Sequence, residues 1–121
     1  MNEDLGFFNN LLRDLVGERL SSVTFVADYW QLSFDNYGFS VLTTISIKRN
    51  EQSLRDGDRD FRNWLCECIM QKVVHADAAN EIVQLAFENG YKVELSFRGK
   101  DYVGPEGLHF WHPKLPSLMI L

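Results

Sequence analysis

A six-residue motif that occurs twice constrains the fold of this chain more than any other feature. Residues 31–36 read QLSFDN and residues 84–89 read QLAFEN, 53 positions later in a chain of 121 residues. Apolar and polar residues alternate in both copies, which is typical of a strand with one buried face. Each copy ends in an acid followed by Asn, a pair that favours a turn. The motif therefore predicts two equivalent strands that each run into a hairpin.

The segments around the two copies are also alike. Apolar residues recur every three or four positions over residues 3–16, and again from Phe61 to Ile69, so each stretch predicts a helix with one buried face. Alternating segments follow the first helix at 20–27, 30–34 and 39–47, and the second at 73–75, 83–87 and 91–97. Each half is thus predicted to be a helix followed by a three-stranded meander.

This order predicts an α+β fold, with an antiparallel sheet of about six or more strands in two meander halves and two helices packed on it. A solenoid needs at least three repeats, so a pseudo-symmetric single sheet with its helices on one side is expected. An internal duplication would span about 3–48 and 58–98, with residues 104–121 as a C-terminal strand or tail. Independent origin of two similar hairpins would give the same pattern.

Composition indicates one folded domain over residues 1–121. The chain is 45% hydrophobic with nine Phe and three Trp, which excludes a disordered protein. The first ten residues carry acids where a secretory signal carries basic residues, and no apolar run approaches the ~20 residues of a membrane span. We therefore expect a soluble cytoplasmic protein with no membrane partner. Cys66 and Cys68 are expected to be buried or half-buried free thiols.

The charge balance limits the kinds of partner. The formal net charge is −5, with 17 acidic and 12 basic residues, and the basic residues alternate with acids rather than forming a patch. Such a chain repels phosphate backbones, so nucleic acid is not expected as a partner. A protein with a basic surface is the class of partner that the charge favours.

The segment RDGDRDFRNWLCE partly matches the ligand spacing of a calcium-binding loop. Asp56, Asp58 and Asp60 hold positions one, three and five, and Glu67 holds position twelve. Position six, which requires Gly for a sharp turn, is Phe61. The acids are therefore interpreted as a solvated loop and not as a calcium site.

The spacing of the histidines does not predict a metal site either. His109 and His112 form HFWH on a predicted strand, where positions three apart face opposite sides. No catalytic residue, metal site or cofactor is predicted, and the chain is not expected to be an enzyme. The alternative is a small metal-dependent hydrolase that folding would assemble from His75, His109, His112 and scattered carboxylates.

A protein-binding surface is the remaining candidate site. The charged segment 50–60 is predicted to be an exposed connection, and Glu51, Asp56, Asp58 and Asp60 are its candidate partner-binding acids. Tyr37 and Tyr102 lie beside predicted turns, where aromatic side chains can anchor a partner.

Three further stretches suggest a family. WQLSFDN, LAFENGYKVELSF and GPEGLHFW resemble small bacterial α+β domains among the immunity proteins of polymorphic toxin and contact-dependent growth inhibition systems. The likeness runs from roughly residue 11 to 112, and the matching residues are Trp30, Leu32, Phe34, Phe87, Asn89, Gly90, Pro105 and Glu106.

The resemblance implies a protein that binds one cognate toxin domain and blocks its active site without catalysis of its own. Members of such families share no binding residues, because each matches its own toxin, so no site is carried over. A third alternative is a homodimer or larger homo-oligomer in which the apolar C-terminal segment SLMIL pairs between chains.

Overall fold

The computed structural model describes residues 2–117 and 119–121, with side chains from residue 5 onward. Two α-helices pack on two antiparallel sheets of five strands each, which confirms the predicted α+β class. The prediction of a single sheet was wrong. Each meander has one apolar face that needs cover, and two sheets supply that cover for each other.

The helices are α1 (Asn2–Leu12) and α2 (Phe61–Glu67), and short 3-10 turns lie at Arg13–Leu15 and Gly99–Asp101. The strands are β1 (Ser22–Val26), β2 (Tyr29–Phe34), β3 (Tyr37–Val41), β4 (Ile45–Arg49), β5 (Gln52–Arg55), β6 (Val73–Ala79), β7 (Ile82–Phe87), β8 (Lys92–Ser96), β9 (Leu108–Trp111) and β10 (Met119–Ile120).

The two sheets exchange hairpins. The meander β1–β2–β3 follows α1, and the meander β6–β7–β8 follows α2, as the sequence predicted. The hairpin β4–β5 leaves the first meander and pairs with β8, while β9–β10 leaves the second and pairs with β3. Each sheet therefore contains the meander of one half and the hairpin of the other.

The third predicted strand, 39–47, breaks where the chain crosses between the sheets. Residues 42–44 lie between β3 and β4, and the Leu42 N–H donates to the carbonyl of Gly107 at 2.8 Å. The Leu42 carbonyl accepts the N–H of Val103 at 3.2 Å. The C-terminal segment thus satisfies the main chain at the crossing, a partner that strand periodicity does not reveal.

The motif strands β2 and β7 bury the same positions. Trp30, Leu32 and Phe34 point inward from β2, as Val83, Leu85 and Phe87 do from β7. Both strands run into their hairpin turns as predicted, and Phe34 and Phe87 stack against each other between the sheets. The repeated motif therefore forms the centre of the core.

Helix α1 closes the outer edge of β6. The Ala78 N–H donates to Asn9 Oδ1 at 2.7 Å, and Asn9 Nδ2 donates to the Ala78 carbonyl at 3.0 Å. One side-chain amide thus takes the place of a neighbouring strand, which blunts an edge that would otherwise present unpaired main-chain groups.

The C-terminal segment is tied to its own chain. Met119 and Ile120 pair with β9, and the Leu121 N–H donates to the Leu108 carbonyl at 2.9 Å. In the SLMIL segment, Leu118 lies outside the described residues.

His112 links this C-terminal segment to the end of the first helical stretch. Its Nε2 lies 2.9 Å from Asp14 Oδ2, and its Nδ1 accepts the Lys114 N–H at 2.9 Å. Because Nδ1 is an acceptor, the proton lies on Nε2 and is donated to Asp14. This contact joins residues at opposite ends of the chain.

Candidate protein-binding surface

Asp56 stands where the two sheets meet. Its backbone N–H donates to the carbonyl of Ile45 at 3.3 Å, at the end of the β4–β5 hairpin. Its carboxylate accepts the indole N–H of Trp30 at 3.0 Å, and Trp30 belongs to β2 in the other sheet. The carboxylate is therefore held in a fixed position although Asp56 is exposed.

The next two aspartates are positioned by the turn that leads into α2. Asp58 Oδ2 accepts the backbone N–H of Arg55 at 2.8 Å, which closes the loop on itself. Asp60 precedes α2 with a φ of 70° and makes no capping hydrogen bond with the helix. Both residues are exposed, so their carboxylates face solvent at the start of the helix.

Asp101 joins this group from a distant part of the chain. It lies in the 3-10 turn after β8, accepts the Ser96 hydroxyl at 2.6 Å, and its backbone carbonyl accepts the Thr43 hydroxyl at 3.1 Å. Sequence reasoning missed Asp101, because only the pairing of β4 with β8 brings it beside the crossing segment.

Two shallow depressions connect these four residues. One, of about 280 Å³, is lined by Asp56, Asp58 and Asp60, and the other, of about 290 Å³, by Asp56, Asp58 and Asp101. Charged and polar side chains make up most of both linings, whereas a typical small-molecule pocket is lined mainly by hydrophobic and aromatic side chains. We call Asp56, Asp58, Asp60 and Asp101 the aspartate surface.

Arginines interrupt the acidic character of this region. Arg55 lines the second depression and Arg62 lines the first, and Arg59 is exposed in the turn that precedes α2. The surface thus carries a pattern of both signs, which favours a partner of matching pattern over any basic protein.

An exposed aromatic group adjoins the aspartate surface. The Arg62 guanidinium carbon lies 4.7 Å from the ring centroid of Phe25 and 5.6 Å from that of Trp30. Phe25 is 44% exposed, whereas Trp30 is 5% exposed. Phe25 is therefore the aromatic side chain that a partner could reach beside Asp56.

Glu51 and Tyr37 lie apart from the aspartate surface. Glu51 is exposed in the turn of the β4–β5 hairpin, at the end opposite Asp56. Tyr37 pairs with Phe34 at the far end of β2 from Trp30. Its ring packs edge-on against His112 with centroids 5.0 Å apart, so one edge of the contact that a partner would need is occupied within the chain. The structure therefore does not bring these two candidates together with the aspartates.

Tyr102 lies next to Asp101 but is packed inward. Its hydroxyl donates to the Phe97 carbonyl at 2.8 Å, and its ring occupies the space where a side chain at Gly107 would stand. Burial, followed by the charge of Glu81, raises the pKa of the Tyr102 hydroxyl above its ordinary value. Tyr102 thus supports the segment that carries Asp101.

The three histidines pair with three different carboxylates. His75 lies 3.3 Å from Asp77, His109 lies 2.6 Å from Glu106, and His112 pairs with Asp14. Within residues 2–117 and 119–121, no group of three or more His, Cys, Asp or Glu side chains could hold a metal ion.

The two cysteines occupy different environments. Cys68 is fully buried, and burial raises the pKa of its thiol to about 12. Cys66 is exposed, so the prediction that it would be buried or half-buried was wrong. It lies on the solvent side of α2, and two residues along a helix turn a side chain by about 200°.

Neither described helix has the length and apolar character that a membrane crossing requires. Comparisons with protein-family models, curated proteins and solved structures found no match to this chain.

Proposed function

We propose that this protein is a cytoplasmic protein-binding module, an immunity protein that binds a cognate toxin domain and blocks its active site. The proposal rests on the aspartate surface, where residues from two distant segments place four carboxylates around adjoining depressions. The partner on this proposal is a toxin domain with a basic surface that also offers acids to Arg55, Arg59 and Arg62.

Three features support this assignment. The net charge of −5 would steer a basic partner toward the chain. The carboxylate of Asp56 is held by Trp30 before any partner binds, which lowers the entropy cost of association. The exposed ring of Phe25 supplies an apolar contact beside the charges.

Capture of the partner is the first experiment. The tagged chain is incubated with lysate of its native host, and retained proteins are identified by mass spectrometry. We expect one stoichiometric partner, the C-terminal domain of a much larger secreted protein. Expression of that domain alone should stop growth, and co-expression of this chain should restore it. Failure to protect cells from the captured domain would contradict the immunity function.

A charge-matched pair of variants then locates the interface. Asp56→Asn, Asp58→Asn and Asp60→Asn in one chain should weaken toxin binding by roughly tenfold or more, because several charge pairs are lost together. The control combines Asp35→Asn, Glu81→Gln and Glu88→Gln, which remove the same charge from exposed turns elsewhere. Equal affinity of the two variants would place the interface away from the aspartate surface.

A further inference from the structure

The first strand, β1, is an edge strand that lacks, among the described residues, the protection found at the other three sheet edges. Asn9 covers β6, which also has a register shift between Val73 and His75. Strand β5 has four residues and carries Arg55, and β10 has only two. In contrast, β1 reads SVTFV, without charge, proline or register shift. Such a strand can pair with another chain.

The hairpin geometry shows which main-chain groups are free on β1. Val26 and Tyr29 flank a two-residue turn and are paired across it, so their main-chain groups bond each other. Hydrogen-bonded pairs alternate along an antiparallel ladder, so Thr24 and Ser22 also face β2. The N–H and C=O groups of Val23 and Phe25 therefore point away from the sheet.

The second half of the chain supports this assignment. Ala78 stands two positions before the turn between β6 and β7, and Phe25, 53 positions earlier, stands two positions before the turn between β1 and β2. The outward main-chain groups of Ala78 are those that Asn9 satisfies. Arg62 lies 53 positions after Asn9 and is therefore its equivalent in the other half. Its guanidinium contacts the ring of Phe25 and not the backbone. The corresponding groups of Phe25 are thus left without that cover.

We propose that β1 is a homodimerisation edge, at which β1 of a second copy of this chain pairs antiparallel about a twofold axis through Thr24. This register sets Val23 of one copy opposite Phe25 of the other. Because the free groups belong to these two residues, each such pair forms two main-chain hydrogen bonds, and the symmetric pair forms two more. The five-stranded sheet that contains β1 in one copy then joins the same sheet of the other copy to form one continuous sheet.

Side chains in the same register are self-complementary. Val23 and Phe25 share the inner face with Leu32 and Trp30, so each Phe25 ring meets a β-branched neighbour from the other copy. Thr24 meets Thr24 on the outer face. The open part of this edge is limited to β1, because the main chain of Leu20 pairs with Met70 and Gln71 of the same chain. This proposal does not rest on the toxin-binding function, although the Phe25 ring belongs to both proposed surfaces.

Mass in solution tests the proposal on the full chain. Sedimentation velocity over a concentration series should show a species of twice the 14.1 kDa of one chain. Thr24→Lys places two like charges opposite each other on the axis and should raise the dissociation constant by roughly fivefold. Ser53→Lys, on the exposed edge strand β5, should leave it unchanged. A native chain that stays at one-chain mass at about 1 mM, where even a dimer of millimolar Kd is populated, would overturn the proposal.

Cross-linking tests the register separately. In a Cys66→Ser background, Thr24→Cys should form a covalent dimer on mild oxidation, because the two positions are directly opposite with Cα atoms about 4.5 Å apart. Ser22→Cys should not, since its counterpart lies several residues away along the partner strand. Circular dichroism confirms that both variants fold. Equal cross-linking of the two variants would rule out the axis through Thr24.

Discussion

The phenyl rings of Phe34 and Phe87 lie nearly parallel, with 11° between their planes and 6.5 Å between their centroids. These residues hold the same position in the two copies of the repeated motif. Together with the reciprocal exchange of hairpins, their contact indicates an approximate twofold relation between the halves. An evolutionary duplication over 3–48 and 58–98 stays a prediction.

The Phe34–Phe87 contact should couple the two sheets energetically. Phe34→Leu and Phe87→Leu should each lower the free energy of unfolding by about 1–2 kcal/mol, because each ring is buried. The double variant should lose less than the sum of the two by about 0.5–1.5 kcal/mol. Urea denaturation of the four proteins measures the cycle, and strict additivity would show that the rings do not stabilise each other.

Asn9 should contribute to stability through the main chain of β6. Asn9→Ala leaves the N–H and C=O of Ala78 without their partner and should cost about 1–3 kcal/mol. Asn10→Ala is the control, because Asn10 is exposed one position along the same helix and bonds only to the side chain of Arg13 among the described residues. Its effect should stay within about 0.5 kcal/mol. Similar losses in both variants would point to helix propensity as the cause.

The contact between Asp14 and His112 should make stability depend on pH. Hydrogen bonds from His112 and then Lys114, opposed by burial, hold the pKa of the Asp14 carboxyl below its ordinary value. The folded state therefore favours the carboxylate, and this stabilisation is present above the ordinary pKa and lost as pH falls through the folded pKa.

Accordingly, Asp14→Asn should have a lower urea midpoint than the native chain at pH 7, and the two midpoints should converge as the pH falls below the ordinary carboxyl pKa of 3.8 and the folded-state carboxylate becomes protonated. Asp35→Asn removes an exposed carboxylate and should not reproduce this gap. A difference that persists unchanged at low pH would show that Asp14 acts through packing and not through its charge.

The two thiols should differ in reactivity toward a disulfide reagent such as DTNB. At pH 8 the native chain should release one equivalent rapidly from exposed Cys66, while Cys68 reacts only on unfolding because burial raises its pKa to about 12. Cys66→Ser should abolish the rapid phase. Rapid reaction of that variant would mean that the site of Cys68 opens in the native state.

Local pattern was sufficient for the parts of the fold that depend on nearby residues. The period of the apolar positions identified both helices and both meanders, because a half-buried element carries its burial pattern in its own sequence. The prediction that the charged segment 50–60 is an exposed connection was wrong in part, because residues 52–55 of this segment form strand β5. Only Leu54 of β5 is half-buried, so the alternation that marks a strand is almost absent there.

The aspartate surface was predicted only in part. Asp56, Asp58 and Asp60 are neighbours in sequence and could be grouped by their spacing. Asp101 could not be grouped with them, because its proximity comes from the pairing of β4 with β8. Tertiary structure also separates two candidates from this surface. Glu51 lies at the end of the β4–β5 hairpin opposite Asp56, and Tyr37 lies at the end of the β2–β3 hairpin opposite Trp30.

The sequence by itself determined the two helices, the three-stranded meander that follows each of them, the buried faces of the motif strands and the turns that end them, since these follow from local periodicity and turn chemistry. Only the tertiary structure decided that the strands divide into two sheets, that hairpins cross between the halves, and that Asn9 protects β6 while no described side chain protects β1 in the same way. Those outcomes depend on contacts between residues far apart in sequence, such as Asn9 with Ala78 and Asp14 with His112, which no local pattern encodes.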